Sequence, residues 1–319
     1  MTDARSNEQL FFEISSLGQT VLAHHVGYLP IKRHLKIIED SKRLVVLLDT
    51  LMVHRSYNNL PQEFIFLWDK IIAANDDIKD RWGSIFLAYM LSDLSHRNQI
   101  KNLPNSVVLE IYHQCQRISN SIMANDIHYQ SLSNDIFLKD MGICGLYVFP
   151  CKAQIVDSYS GIPRSFVFSN DLKQFIKLIV LAAINHGKFS PYYQLHLHEP
   201  LISNLNEPNL TYCFLLVADL LRCNPSCLGL IGISWFYDPE IKRITPHLAY
   251  LQDIPAAGGA LFFRIGQLPQ DIQNATKFSN RRQLYEKGEY VPTSYMMIWP
   301  RKKLLSWATQ VRSNNVTTV

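Results

Sequence analysis

The sequence predicts an α+β or α/β protein, with an N-terminal helical bundle followed by a mixed-sheet α/β domain. Three observations support this fold class. Apolar residues recur every three or four positions up to about residue 125, strand-like and helical segments alternate after His128, and the chain is 47% apolar and 18% charged, as globular proteins are. Its 319 residues are enough for two cores. We predict a helical domain at 1–130, an α/β domain holding the active site at 131–312, and a frayed polar tail at 313–319.

The N-terminal part has the periodicity of amphipathic helices. Apolar faces are formed by Leu44, Leu47, Leu48, Leu51 and Met52, and by Val107, Val108, Ile111, Cys115, Ile118 and Ile122. Pro61 and Pro104 precede helical segments, and short polar breaks separate one segment from the next. The pattern predicts a bundle of about five helices.

The C-terminal part alternates between strands and helices. Predicted strands are 142–149, 153–159, 164–168, 192–198, 228–237, 247–252, 260–265 and 293–299, with Pro150 breaking the first pair. Predicted helices are 171–186, with residues 169–171 as its cap, 209–222, 271–287 and 302–311. Gly288 is placed to end the third of these helices.

Charge and hydropathy exclude two classes of protein. The formal net charge is +4, and the lysines and arginines are scattered rather than arranged in a basic stripe, so nucleic-acid binding is not expected. No apolar run reaches the roughly 20 residues of a membrane-spanning helix. Residues 1–16 lack the apolar core of a signal peptide, so we expect a cytoplasmic protein without a transmembrane segment. The oligomeric state is left open.

The first candidate site is the H-x-H pair His196 and His198, followed by Glu199. On a strand, a two-residue spacing places both imidazoles on one face, where they could bind Zn or Fe. A third ligand would come from Asp219, Asp238 or His247. The alternative is a metal-free sheet edge with hydrogen-bonded histidines.

The helices offer a second metal hypothesis. Glu110 with His113, and Asp93 with His96, each place a carboxylate and an imidazole one turn apart, as in di-iron bundles. Because Ile111 occupies the apolar face, we expect Glu110 and His113 to lie towards solvent. Solvated helix faces are therefore the favoured interpretation of both pairs.

The segment 228–239 is the third candidate. It predicts a strand that ends in Trp235, Tyr237 and Asp238, which would supply aromatic walls and a carboxylate where ligands bind in α/β sheets. The alternative is that the aromatic side chains fill the core and that Asp238-Pro239 is only a turn.

The C-terminal segment ATKFSNRRQLYEKGEYVPTSYMMIW, residues 275–299, resembles the end of the GNAT family of N-acetyltransferases, in which an asparagine, a helix reading LYEKxGF and a final strand follow one another. The resemblance implies an acyl-CoA or similar thioester donor, with Tyr285 as the acid towards the departing thiolate. Gly258 and Gly259 are the nearest counterpart of the family's phosphate-binding glycines.

A wider resemblance extends over more of the chain. Residues 137–140, SWFYDP, TPHLAYL, RRQLYEKGEYVPTSY and IWPRKKLLSWA are similar to a family of uncharacterised bacterial proteins, for which no activity is implied. Arg282 and its neighbouring cations could hold a phosphate or carboxylate, or could be solvated.

Three functions follow, in order of preference. The first is an acyltransferase that moves an acyl group from a CoA-like or carrier-bound thioester to a small-molecule or carrier-bound acceptor. His196, Glu199 or Asp238 would accept the proton, and Trp235, Tyr237, Gly258, Gly259 and Arg282 would bind substrate or donor. The second is a hydrolase or oxygenase with Zn or Fe on His196 and His198. The third is a non-catalytic protein-interaction module.

Overall fold

The computed structural model describes residues 5–163, 172–185 and 187–316. The chain packs as two compact units, Met1–Tyr159 with Leu197–Ile202, and Ser160–His196 with Ser203–Val319. We call them the first unit and the second unit. Helices come first and a mixed sheet follows, which confirms the predicted fold class.

Helices dominate the first unit. They are α1 (Asn7–Val26), α2 (Ile31–Leu51), α3 (Gln62–Ala74), α4 (Trp82–Leu94), α5 (Asn98–Lys101), α6 (Asn105–Met123) and α7 (Asp135–Cys144). Pro61 and Pro104 immediately precede α3 and α6, as predicted. The predicted apolar faces of α2 and α6 supply Leu44, Leu48, Ile111 and Ile118 to the core.

Aromatic rings fill the centre of this helical core. The Trp68 ring lies 5.9 Å from Phe64, 6.0 Å from Trp82, 5.4 Å from Phe86 and 5.7 Å from Phe137, measured between ring centres. Stacked, edge-on and tilted pairs at these distances contribute roughly 0.5–1.5 kcal/mol each beyond the burial of their area. The Phe137 contact ties α7 to the bundle, and α7 carries the charged residues described below.

A β-hairpin follows α7 and corrects the predicted strand at 142–149. Residues 142–144 end α7, and β1 (Val148–Cys151) begins later than predicted. The helix is favoured there because Asn134 caps it through the N–H groups of Ile136 and Phe137. Pro150 does not interrupt the strand but pairs with Ile155 on β2 (Gln154–Ser160).

The second unit contains the four-stranded part of the sheet. Its elements are α8 (Leu172–Ile184), β3 (Tyr192–His196), α9 (Glu207–Cys223), β4 (Gly229–Ser234), α10 (Ile241–Ile244), α11 (Tyr250–Ala257), β5 (Leu261–Gly266), α12 (Pro269–Ala275), α13 (Ser279–Glu286), β6 (Ser294–Pro300) and α14 (Arg301–Val316). The strand order is β3-β4-β6-β5. The β3/β4 pair is parallel and is connected through α9, whereas β6 is antiparallel to both β4 and β5.

The two faces of this sheet are covered by different helices. Leu178 and Leu181 of α8 pack with Tyr192, Ile231 and Ile298 on one face. On the other face, Phe214 of α9 lies 5.1 Å from the Trp299 ring, which in turn lies 5.1 Å from Trp307 of α14. We call these the α8 face and the α9 face.

Several predicted elements of this unit are wrong. Residues 247–252 are not a strand, because a short 3-10 turn at Pro246–Leu248 leads into α11. The Gln252 side chain donates to the carbonyls of Phe236 and Asp238, which holds this helix in place. The predicted helix 271–287 is two helices, α12 and α13, and the predicted strand 228–237 ends at Ser234.

Some predictions cannot be compared with the structure. The predicted strand 164–168, the cap at 169–171 and residue 186 lie outside the described residues, as do residues 317–319 of the predicted tail. The final helix α14 continues through Val316. In the described part of the chain, no helix combines the length and apolarity needed to cross a lipid bilayer.

Candidate functional site

The parallel strands β3 and β4 stop pairing before β4 ends. Tyr193 pairs with Leu230, Gln194 with Ile231, and Leu195 with Gly232. Beyond that point β4 continues for two residues, and Ile233 and Ser234 remain in register with β6 on the other side. We call this opening, at the carboxyl ends of β3 and β4, the β3/β4 gap. Ile233 is 37% exposed, so solvent reaches β4 beyond its last parallel pair.

The Tyr237 side chain lies at the base of the gap. Ser234 ends β4, and its Oγ accepts from the N–H of Phe236 at 3.1 Å, which starts the 3-10 turn Trp235–Tyr237. The turn folds Tyr237 back over Gly232, so that a Cβ on Gly232 would lie only 2.6 Å from the Tyr237 hydroxyl oxygen. Residue 232 therefore has to be glycine for the tyrosine to occupy this position.

The Tyr237 hydroxyl is available as a donor. It forms no hydrogen bond with another described residue, although the side chain is only 7% exposed. Burial, followed by the nearby Cys213 thiol, raises the pKa of Tyr237 above its usual value. The phenol therefore stays protonated at neutral pH and can donate one hydrogen bond.

His196 ends β3 on the opposite face of the sheet. Tyr192 belongs to the α8 face, and side chains alternate along a strand, so Gln194 and His196 point to the same face. Leu195 and Gly232 pair with each other and share the α9 face with Tyr237. The half-buried imidazole and the phenol thus flank the β3/β4 gap from its two sides.

Asp238 is placed as a structural cap and not as a solvent-facing base. Its side chain accepts from the Glu240 N–H at 3.1 Å, the Tyr290 hydroxyl at 3.1 Å and the Thr293 N–H at 3.0 Å. The residue is 4% exposed. With these donors around it, the carboxylate fixes the turn after β4, and its oxygens are engaged by the protein's own donors.

The predicted binding residues Trp235 and Arg282 are not brought to the gap together. The Trp235 ring is stacked by the buried guanidinium of Arg281, 4.7 Å from the ring centre. Exposed Arg282 donates to the Thr276 carbonyl at 3.0 Å. Tyr285 is 39% exposed on α13, and no hydrogen bond among the described residues connects it to β3 or β4.

Gly258 and Gly259 end helix α11 and do not begin one. The Gly258 carbonyl accepts from the Trp299 indole at 2.9 Å, and a Cβ at Gly258 would lie 2.0 Å from that ring. Gly259 has φ +83°. The C-terminal end of a helix presents carbonyl oxygens, which repel phosphate, so the geometry does not favour the predicted phosphate-binding role.

His198 does not form a metal-binding pair with His196, because its side chain contacts residues of the first unit. Its Nε2 lies 3.2 Å from Asp140 Oδ1 and 3.2 Å from Arg117 Nη2. Arg117 also donates hydrogen bonds to both carboxylate oxygens of Asp140, and the Tyr129 hydroxyl donates to Asp140 at 2.8 Å. The strand ends at His196, so the two-residue spacing no longer places both imidazoles on one strand face.

This buried network holds Asp140 ionised. Burial alone would favour the protonated acid, but the Arg117 guanidinium and His198 outweigh it, and the pKa of Asp140 lies below its usual value. The neighbouring Lys139 donates to the Leu197 carbonyl at 2.6 Å. Together these contacts fasten residues 197–198 to α7. Glu199, the next residue, is exposed in the short 3-10 helix Glu199–Asn204.

The described residues contain no group of three His, Cys, Asp or Glu side chains arranged to hold a metal ion. The alternative pair on α6 has a separation of 3.8 Å between His113 Nδ1 and Glu110 Oε2. Glu110 is buried at 4% exposure, and not solvated as predicted; Lys152 approaches it to 3.9 Å.

Comparison with known proteins gives no match to this chain, whether with family models, with curated sequences or with solved structures. The chemistry of the site therefore has to be argued from its own geometry. Sequence reasoning selected His196 and Tyr237 but missed the opening between β3 and β4 and the network around Asp140. The one available signal for that network was a charged residue, Arg117, within the apolar pattern of α6.

Proposed function

We propose that the second unit is an acyltransferase that binds an acyl thioester in the β3/β4 gap. The observation that carries this proposal is the early end of the parallel pairing at Leu195 and Gly232, while β4 continues beside β6. Ligands of open α/β sheets bind at the carboxyl ends of parallel strands. The exposed edge of a strand can also accept an extended ligand through its backbone groups, as a further strand would be accepted.

The groups around the gap suit acyl transfer. An amine or hydroxyl of the acceptor attacks the thioester carbonyl carbon and passes its proton to His196, which is the only one of the three predicted bases that ends β3. The carbon–sulfur bond breaks, and the sulfur leaves with the electron pair. The Tyr237 hydroxyl donates a hydrogen bond to that sulfur as its negative charge develops.

Tyr237 acts in this scheme as a hydrogen-bond donor and not as a full acid. A thiol has a pKa of about 8.5, below that of an ordinary phenol near 10. Burial raises the pKa of Tyr237 further, so complete proton transfer to a thiolate would run uphill. The thiolate is therefore stabilised in place and takes its proton from solvent. Tyr237 takes the place beside the sulfur that the family resemblance assigned to Tyr285, but as a hydrogen-bond donor and not as the acid.

The experiment is a binding and turnover assay on the full chain with acetyl-CoA and a longer acyl-CoA. Native mass spectrometry is expected to detect a one-to-one adduct, and a thiol reagent is expected to detect release of free CoA when an amine acceptor is added. Tyr237→Phe should keep the adduct but slow thiol release by roughly 10²–10³-fold, the usual cost of removing one such donor.

Tyr250→Phe is the matched control, because its hydroxyl lies in the same unit but donates to the Leu205 carbonyl at 2.9 Å. The rate of thiol release by this variant should stay within about threefold of the wild-type rate, since the substitution removes only a neutral structural hydrogen bond. Absence of any CoA adduct and of thiol release from the wild-type chain would overturn the proposal. Equal effects of the two substitutions would remove Tyr237 from the mechanism.

A further inference from the structure

Helix α8 has an apolar outer face in addition to its packed inner face. Leu178 and Leu181 face the sheet, where they join the buried core. The solvent side of the same helix carries Leu172, Ile176, Ile179, Val180, Ala183 and Ile184. The five larger side chains of this set are between 48% and 71% exposed. We call this set the α8 outer stripe.

The outer stripe is continuous. Its members are spaced by three or four residues, or are adjacent, so they project from one side of the helix over more than three turns. A helix that is apolar on all sides is normally covered, and contiguous exposed patches of this kind mark binding surfaces. By contrast, Phe12 on α1 and Phe66 on α3, at 74% and 72% exposure, are single exposed side chains on otherwise polar faces.

The charged residues within α8 have one sign, although Asp171 precedes the helix in the sequence. Residues 172–198 contain Lys173, Lys177 and Lys188 and no aspartate or glutamate. Strand β5 lies beside α8, and the Arg264 backbone N–H donates to Gln174 at 2.7 Å, but the Arg264 side chain belongs to the opposite face of the sheet. An apolar stripe with Lys177 near its middle and no carboxylate within the helix is complementary to a surface with apolar material beneath a layer of negative charge.

The same charges oppose self-association through this face. Lys177 lies near the middle of α8, and a two-fold axis passing through the centre of the helix would bring Lys177 of both copies together. Like charges at such an interface cost binding energy and would have to be desolvated.

From these observations we propose that the α8 outer stripe binds the surface of an anionic lipid membrane. Leucine, isoleucine and valine side chains enter the boundary between headgroups and acyl chains, and the lysine stems extend along it so that their ammonium groups reach lipid phosphates. The helix lies in the plane of the surface and does not cross the bilayer. This inference is independent of the chemistry proposed for the β3/β4 gap.

The test is co-sedimentation of the full chain with vesicles of phosphatidylcholine alone and of phosphatidylcholine mixed with phosphatidylglycerol. We expect binding to the mixed vesicles, weakened by added salt, and little binding to phosphatidylcholine alone. Ile176→Asp combined with Ile179→Asp should lower the partition coefficient about a hundredfold, and Lys177→Glu about tenfold. All three positions are exposed, so the variants are expected to fold, which circular dichroism will check.

The controls are Phe12→Asp combined with Phe66→Asp, and Lys302→Glu on α14, all at exposed positions away from α8. These variants should bind mixed vesicles as the wild type does. The proposal is overturned if the wild type binds neither kind of vesicle, or if the control variants lose as much binding as the α8 variants. It is also overturned if wild-type dimers form without lipid and disappear in the Ile176→Asp, Ile179→Asp variant, because the stripe would then be an interface between copies.

Discussion

The buried carboxylates of the first unit and the strand ends of the second unit show opposite arrangements of polar groups. In the first unit, Asp140 is surrounded by Arg117, Tyr129 and His198, and no charge is left for a ligand to neutralise. In the second unit, β4 extends past its parallel partner, and the Tyr237 hydroxyl keeps its donor. Closed networks favour a single conformation, whereas open groups are where binding can gain energy. The network around Asp140 therefore has a structural role, and the acyltransferase proposal concerns the second unit.

The largest effect is expected from opening the closed network. Asp140→Asn leaves the Arg117 guanidinium, 21% exposed, without its counter-charge. Breaking a buried ion pair from one side typically destabilises a protein by about 3–5 kcal/mol. Urea denaturation should show this loss in the free energy of unfolding. Asp253→Asn, which removes the partner of Lys242 at an exposed site, should cost less than about 1 kcal/mol. Similar costs for the two variants would contradict a structural role for the network.

The second carboxylate of the first unit predicts a pH dependence. Burial raises the pKa of Asp157 from 3.8 to about 6, although Ser56 and the Tyr57 N–H donate to it at 2.5 and 3.1 Å. The folded state thus prefers the protonated acid. The stability gained from the protonated Asp157 is fully present below about pH 4 and is lost as the pH rises through 6. At pH 7 this loss lowers the free energy of unfolding by about 3 kcal/mol.

Urea denaturation of the wild type and of Asp157→Asn at several pH values between 4 and 7 measures this effect. It is the difference between the two proteins in how steeply the free energy of unfolding changes with pH. The wild type should lose stability relative to the variant as the pH rises, because the amide cannot ionise. Asp253→Asn serves again as the control, and its curve should run parallel to that of the wild type. Parallel curves for Asp157→Asn would show that Asp157 ionises normally in the folded chain.

A smaller effect is expected from closing the open site. Gly232→Ala places a methyl group where the Tyr237 hydroxyl lies, 2.6 Å from its oxygen, so the ring must move. Overpacking of this kind costs about 1–3 kcal/mol. The moved ring should also weaken acyl-CoA binding. Ile233→Ala changes three carbon atoms at the next residue, whereas Gly232→Ala changes one. Because Ile233 is exposed, this substitution should lower the free energy of unfolding by about 1 kcal/mol or less. A larger loss for Ile233→Ala, measured by denaturation, would argue that no gap exists beside it.

The helical first unit and most of the sheet could be predicted from periodicity, because each of those segments keeps the same spacing of apolar residues along its whole length. The residues around 247–252 alternate like a strand, yet Gln252 is held in a helix by carbonyls of the preceding turn. Residues 142–144 are apolar enough for a strand, but the cap at Asn134 commits them to α7. In both cases a specific hydrogen bond outweighed the local pattern.

The site was less predictable than the fold, because its parts are distant in the sequence. His196 and Tyr237 could be selected as polar groups at strand ends. The gap between them depends on where the pairing of Leu195 with Gly232 stops, and no local pattern specifies that register. His198 looked like a second metal ligand because its partners, Asp140 and Arg117, come from helices much earlier in the chain.

The membership of residues 197–202 in the first unit has a consequence for the order in which the protein is made. A ribosome releases Arg117, Tyr129 and Asp140 well before His198, which follows Asp140 by roughly 60 residues, or about 3–12 s at ordinary rates of synthesis. During that interval β3 has to emerge before His198 and the buried Leu201 can join the first unit. The helical part of the nascent chain therefore reaches its final stability only after synthesis of the second unit has begun.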